Sequence, residues 1–550
     1  MNTPQEQRRI ERERRRRMQK KQTQSRPLPQ EQNTERYSYQ PTEEKPFRPR
    51  TQDELFQSEP YSPETDQTVI DSGKNFSDES KAFPAHKWFV VLALVFGVIF
   101  VFLTPPFQVP DEMTHFLKSY SLSEFRLVPR VEDGVVIDEM DSEVMAFVSA
   151  FGYLNSHPEN KTSIGDIVTW NDVYSSTFNA KEQTTYVTVN AYIVYYIPQA
   201  FGMAIAHLFG MSVLWTLFMG RLFNLFFYVV ILYLAIKTTP ICKNLFFLLA
   251  LLPMALFQAA SLSYDVMVIS VCALFVAEVL NLSYNPQAQF STQSFVKILI
   301  LSIMLIFVKT VYFPLVLLVL SIPAEKFGVK KDRFRVFLQI AIATLAVYVI
   351  ITIFRKIVYA GVVTDNTMTS DQIINVITNP IRLLNVVQNT FQAFGSNFGE
   401  EFIGRLGWLD VVLPGWLIGL YYIGLIGALF EMNRTETGFI RNHRFSDTIR
   451  FFVLTAIALT GFVLLLFAVF YYILTLVTLG QEGATIANGI QGRYFIPVAY
   501  PAFAALAALL NYKITFGDKF YQITKISNVV LVVIAQIVSI ASLATRYYVS

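Results

Sequence analysis

"HKWFVVLALVFGVIFVFLTPPFQVPDEMTHFLKSY", residues 86–120, runs from an uncharged apolar segment straight into a pair of carboxylates. The apolar part, 88–104, is long enough to cross a bilayer, since a spanning helix takes roughly 20 residues at 1.5 Å each. Asp111 and Glu112 follow within ten residues, and His115 and Lys118 come just after them. Ionisable groups set so close to hydrocarbon are costly and tend to mark function.

Most of the chain has the same character. It is 550 residues long, 53% hydrophobic and 16% charged, with a net charge of +3. A soluble chain would be about 25% charged, and here the apolar residues come in long runs. The class implied is an all-α polytopic membrane protein. Cys242 and Cys272 lie in or beside apolar segments with no metal-ligand spacing, which reads as buried free thiols. No secretory leader precedes the first span.

Residues 1–86 have a different composition. "RRIERERRRRMQKK" (8–21) is a basic cluster, and 22–86 is rich in Gln, Glu, Pro, Ser and Thr without apolar periodicity. This reads as a disordered cytoplasmic arm. It either docks on anionic lipid, at about 1 kcal/mol per basic residue near the surface, or serves as a topogenic or solubilising tail. No folded reader of nucleic acid accompanies it, which excludes that partner.

Candidate spans are 88–104, 212–236, 245–262, 265–283, 296–322, 336–358, 408–430, 451–479, 496–511 and 526–545. Lys and Arg gather in the arm, at Lys237 and Lys243, in "KKDRFR" (330–335), from Arg434 to Arg450 and from Lys513 to Lys525. The positive-inside rule places all of these in the cytoplasm. Then 186–209, with Pro198 and His207, must lie along or dip into the outer face without crossing. Residues 296–322 must cross twice, turning near Lys309, unless they form one tilted span with a snorkelling lysine. The count becomes about 11 spans, with one large outer loop, 105–211.

In that topology the polar membrane-edge residues share the outer side. Asp111, Glu112 and His115 end the first span. Asp265 sits in "SLSYDVM", Lys309 and Tyr312 at the next outer turn, and Arg405 and Asp410 in "GRLGWLD". Gln491, Arg493 and Tyr494 lie in a Gly-rich loop entering a span. A carboxylate is suited to remove a proton from a hydroxyl, and fixed cations are suited to stabilise a leaving phosphate. Transfer of a sugar from a lipid-linked phosphate needs both at the bilayer surface.

Plainer roles stand beside these. Asp111 is placed to cap the helix starting near Glu112. Asp265 suits a hydrogen-bonded turn, Lys309 can snorkel, and Arg493 suits either phosphate or an interfacial anchor. His115 reads as a packing or hydrogen-bonding residue, with an accessory metal-ligand role as the alternative. Arg221, inside the second span, either bridges to another helix or sits near the outer mouth. The acidic stretch "VEDGVVIDEMDSEV" (131–144) matches no calcium loop and reads as a solvated face, followed by a helix at "MAFVSAFGYL".

"PPFQVPDEMTHF", "SLSYDVM", "KTVYFPL", "LGWLDVVLP" and "GIQGRYFIP" occur in that order. Together they resemble a bacterial family of multispanning proteins catalogued as domain of unknown function 2142, over residues 88 to 545. That family in turn looks like the GT-C superfamily of glycosyltransferases, which take sugars from polyprenyl phosphates on the extracytoplasmic face. The resemblance implies a GT-C-like domain over 87–550, with juxtamembrane helices in the first outer loop. It implies that one of Asp111 and Glu112 is the base of an inverting displacement and that the other orients the acceptor or holds a divalent metal. Asp265 matches a second outer acid. Lys309 and Arg493 would neutralise the lipid phosphate, with Tyr312, Arg405, Gln491 and Tyr494 around the substrates. The partners implied are a polyprenyl-phosphate-linked sugar, a cell-envelope glycan and the bilayer of the plasma membrane. With no soluble domain after Ser550, acceptor recognition falls to 105–211 and 359–407. A flippase for a lipid-linked glycan, or a non-catalytic partner in envelope assembly, are the competing expectations. The first would show mid-bilayer charges and an internal repeat.

Overall fold

The computed structural model describes residues 84–127, 130–132, 135–170, 183–187, 193–328, 332–358, 380–478, 484–514 and 516–549. The arm expected at 1–86 lies outside the described residues except for its last three positions.

Helix α1 (Ala85–Leu103) is the first span. After it come α2 (Glu112–Ser123), β1 (Arg130–Glu132), β2 (Val135–Asp141), α3 (Ser142–Ala150), α4 (Ile164–Val168), β3 (Gln183–Val187) and α5 (Ile197–Leu208). The central helices are α6 (Val213–Thr238), α7 (Lys243–Ala250), α8 (Pro253–Ala259), α9 (Asp265–Tyr284), α10 (Thr292–Val308) and α11 (Arg333–Val358). Helix α12 (Pro380–Ile403) leads through a short hairpin, β4 (Arg405–Leu406) and β5 (Val411–Val412), to α13 (Gly415–Ala428). The chain continues with α14 (Arg434–Arg441), α15 (Phe445–Ala468), α16 (Ile496–Lys513) and α17 (Asp518–Tyr548).

Among the described residues, seven helices are long and apolar enough to cross a membrane. They match seven of the expected spans, and α9, buried along most of its length, lies at the centre. The other four of the eleven are shorter or broken. The segment 245–262 is two helices, α7 and α8, parted at Leu252–Pro253 because proline disfavours a helical residue before it. The segment 408–430 contributes only the 14-residue α13.

The segment 296–322 folds back on itself, as expected from Lys309. Helix α10 stops at Val308, and a 3₁₀ run, Thr310–Ser321, returns. The feet of the two arms meet: Phe290 N–H donates to Lys326 O at 3.0 Å, and Lys326 Nζ donates to the carbonyls of Asn285, Pro286 and Ala288. Twelve 3₁₀ residues at about 2 Å rise reach nearly as far as 17 α-helical ones at 1.5 Å.

The loop after α1 is not wholly helical, contrary to expectation. Strands β1, β2 and β3 form an antiparallel sheet in that order, with Ile137 opposite Arg130 and Val187. The acidic stretch builds its central strand instead of a fully solvated face. Asp138 is buried and accepts from Ser121 Oγ at 2.7 Å, while Met140, on the same side, is fully buried. The helix expected at "MAFVSAFGYL" is α3. Pro198 lies in the first turn of α5, where a proline costs no hydrogen bond. At 12 residues α5 is too short to span, in keeping with a non-crossing 186–209. Residues 188–192 of that stretch lie outside the described ones.

Candidate active site

The segment from α1 to α2 is pinned before any chemistry is considered. Phe107 takes a left-handed backbone (φ 64°) and packs its buried ring against Phe116 and Phe147, each at 5.3 Å. Trp408 Nε1 donates to Phe107 O at 2.9 Å, and Gln108 Nε2 donates to Asn155 Oδ1 at 2.9 Å and to Phe151 O at 3.2 Å.

Asp111 and Glu112 then diverge. Asp111 stands at the helix cap with φ 65°, a conformation costly for a residue with a Cβ, and its side chain makes no capping bond. The expected capping role is therefore not observed. Its side chain is 63% exposed, whereas that of Glu112 is 0%. Glu112 turns inward onto Arg221, whose Nε and Nη2 fork onto the two carboxylate oxygens at 2.8 and 2.6 Å. Arg221 also donates to the carbonyls of Val101, Thr104 and Pro105, so all five of its N–H groups are used. The alternative left open for Arg221 resolves to an interhelical bridge.

The same pair fixes the corner between α8 and α9. Leu262 N–H donates to Glu112 Oε1 at 3.1 Å. Asn224, one turn after Arg221 on α6, donates to Ser261 O and Ser263 O at 2.7 and 3.0 Å. Gln199 of α5 takes Leu262 O at 3.2 Å. With residues 261–263 held on three sides, α9 begins at a set point, and Asp265 in its first turn is nearly buried.

Asp265 meets Arg493. The 3₁₀ turn Gly492–Phe495 delivers that arginine with its side chain only 4% exposed. Arg493 Nε lies 3.0 Å from Asp265 Oδ2, and Nη2 lies 3.6 Å from Asp111 Oδ2. Nη1 has no hydrogen-bond partner among the described residues, and the Nε contact with Asp265 is an ion pair off the hydrogen-bond direction. A buried guanidinium between two acids, with donors unspent, is set to receive acceptor oxygens from a third source.

Lys309 joins through aromatic rings. Its Nζ sits 3.6 Å from the centre of the Tyr494 ring and 5.8 Å from that of Tyr264, close enough for cation–π attraction. Tyr312 Oη donates to Tyr494 O at 2.8 Å and braces the turn. Tyr264 stacks on Tyr195 at 5.2 Å, and Tyr195 Oη donates to Phe307 O. His115 fills the gap between rings, 5.0 Å from Tyr264, with Nδ1 3.1 Å from Tyr196 Oη. Burial pushes its imidazole down to about 4, against the pull of Asp111 and Asp265, so it is neutral at pH 7.

The loop carrying Arg493 is anchored by Glu401, which no sequence motif singles out. Glu401 Oε2 accepts from Gly492 N–H at 2.6 Å. A Cβ at Gly492 would stand 2.1 Å from Phe398 O, so only glycine allows this approach to α12. Three other expected residues make different contacts or none. Arg405 donates Nε to Leu409 O at 2.7 Å and lies 3.9 Å from Glu400. Gln491 borders Arg493 in sequence, but its buried Oε1 has no hydrogen-bond partner among the described residues. Asp410 is engaged with Arg546 at 2.7 Å.

Asp111 and Glu112 do not supply the divalent-metal site that the GT-C resemblance implies. Both oxygens of Glu112 are taken by Arg221. Among the described residues, no three of His, Cys, Asp and Glu are grouped to hold an ion.

These features define a polytopic helical membrane protein whose ionisable residues converge at one end of the central helices. The chain belongs to the family described as predicted membrane protein (DUF2142), whose model matches residues 94–501. No curated protein and no solved structure matches it.

Proposed function

We propose that this protein is a GT-C-type glycosyltransferase moving a sugar from a polyprenyl-phosphate donor to a cell-envelope glycan by inverting displacement. The observation that carries this reading is the triad of exposed Asp111, buried Arg493 and Asp265, with unspent guanidinium donors between the acids. In the proposed step Asp111 takes the proton of an acceptor hydroxyl whose oxygen attacks the anomeric carbon. The bond from that carbon to the phosphate oxygen breaks, and its electron pair leaves with the lipid phosphate. Arg493 and Lys309 stabilise that departing charge. Asp265 holds the guanidinium between turnovers.

The reading places the active site on the extracytoplasmic face of the plasma membrane and the N-terminus in the cytoplasm. In support, His86 lies in the combined field of Lys87, Lys237 and Lys243, so these lysines gather at one end of α1, α6 and α7. The acids cluster where α1 ends and α9 begins.

The test is a wall-glycan analysis of cells carrying Asp111→Asn or a deletion, at matched protein levels. Loss of the same sugar substituent in both, with accumulation of its polyprenyl-phosphate donor, is the expected result. A substituent lost in the deletion and kept in Asp111→Asn would point to transport or assembly instead.

A further inference from the structure

A second site lies at the other end of α12. Arg382, Asn385 and Asn389 of that helix, with Tyr471 and Thr485, line a cavity of about 400 Å³ over an aliphatic floor that includes Val386. That volume falls within the roughly 300–1,000 Å³ typical of ligand pockets. Its walls are fixed. Tyr471 Oη accepts from Arg382 Nε and Nη2 at 3.1 and 3.0 Å and donates to Ala484 O at 2.7 Å. Asn389 Nδ2 donates to Thr485 O at 3.2 Å.

The cavity and the acidic site share two elements. The segment 484–492 runs parallel beside α12: Thr485 meets Asn389, Ala487 N–H donates to Thr390 Oγ1 at 2.9 Å, and Gly492 meets Glu401. Along α12, Arg382, Asn385, Asn389, Gln392, Ser396 and Glu400 recur every three or four residues, which makes one polar face. From Asn389 to Glu400 this face covers about 16 Å at 1.5 Å per residue. A polar track of that length, starting in a pocket and ending one residue before Glu401, which anchors the loop of Arg493, is longer than one sugar and fits an extended chain.

We infer that this cavity and the polar face of α12 bind the acceptor as a linear glycan, several sugar units from the end being elongated. The assignment rests on the proposed transferase activity. Two amides, a guanidinium and a hydroxyl over an aliphatic floor are the donors and acceptors that sugar hydroxyls pair with. A lipid tail would leave Arg382, Asn385 and Asn389 nothing to pair with, and a peptide would need separate side-chain pockets or a strand edge.

The full-length protein in lipid nanodiscs tests this by native mass spectrometry. The probes are size-fractionated oligosaccharides released from the wall of the producing cells and, separately, a polyprenyl phosphate. Asn385→Ala, at an exposed position, and Arg382→Ala are expected to weaken long-fragment binding about ten-fold and to leave polyprenyl-phosphate binding unchanged. Arg493→Ala is expected to do the reverse. The groove assignment is overturned if the wild type binds no fragment, if Asn385→Ala binds as wild type does, or if the groove variants lose the lipid instead. If Arg493→Ala keeps the lipid while the groove variants lose the fragments, the donor assignment fails and the groove stands.

Discussion

Asp111 and Arg493 lie 3.6 Å apart with opposite relations to solvent, the carboxylate largely exposed and the guanidinium nearly closed off. The pair is therefore open on the acid's side. An arriving hydroxyl reaches the carboxylate directly, and an anion reaching Arg493 comes to a cation already desolvated. Asp111→Asn keeps shape and removes basicity. Sugar transfer should fall by about 10²–10⁴-fold, the usual share of a general base, with protein abundance unchanged. Donor turnover in membranes from variant and wild-type cells measures this.

Glu112 should behave in the opposite way. Glu112→Gln leaves Arg221 buried without its counter-charge, which costs about 3–5 kcal/mol. The expected outcome is a lower melting temperature and lower abundance, with residual activity tracking the folded fraction. Replacing both partners with apolar residues, Glu112→Leu with Arg221→Met, should recover part of the loss, because no lone charge remains. A double variant less stable than Glu112→Gln would rule this account out.

Arg493→Lys keeps the charge and loses the fork. Affinity for polyprenyl phosphate should drop by about 10–100-fold, the worth of one or two charge-assisted hydrogen bonds. Arg405→Lys should leave it within a factor of two, since Arg405 is spent on Leu409 O. Parallel titrations of the two variants check the contrast.

Stability should fall as pH rises, because of two carboxyls far from the active site. Burial raises Glu431 to about 8 and Glu436 to about 7, although Asn244 and Asn528 donate to Glu431 at 2.7 and 2.6 Å. A raised folded-state value means the native protein holds protons that the unfolded chain releases above about 4.5. Stability is greatest below that pH and declines up to about 8. Melting temperatures across pH 5–8 should slope downward, and Glu431→Gln should flatten the slope.

Much of the architecture is legible in apolar run length, and the site in the rarity of charge at the ends of those runs. Asp111, Asp265, Lys309 and Arg493 stand out that way, each at the edge of an uncharged segment. Which member of the acidic pair is exposed does not. That depends on a left-handed backbone at Asp111 and on Arg221, 109 residues further along. Glu401 is hidden because its partner is a backbone N–H, which leaves no mark in composition. The β1–β3 sheet is hidden because the acids of "VEDGVVIDEMD" look solvated until Ser121 is found beside Asp138. The break at Pro253 is visible in the sequence, but the length of the surrounding run outweighs it.

Arg546, near the end of α17, donates to Leu154 O, His157 O and Asn160 O as well as to Asp410, and Lys161 Nζ takes Thr545 O and Arg546 O. Apart from the bond to Asp410, these join residues more than 380 positions apart. During synthesis the loop that follows Asp111 waits for these donors until nearly 400 further residues have been made and inserted. The segment that begins the site is thus among the last to be secured. A chain interrupted before α17 would carry Asp265, Lys309 and Arg493 at their helices while the loop that follows Asp111 still lacked this fastening.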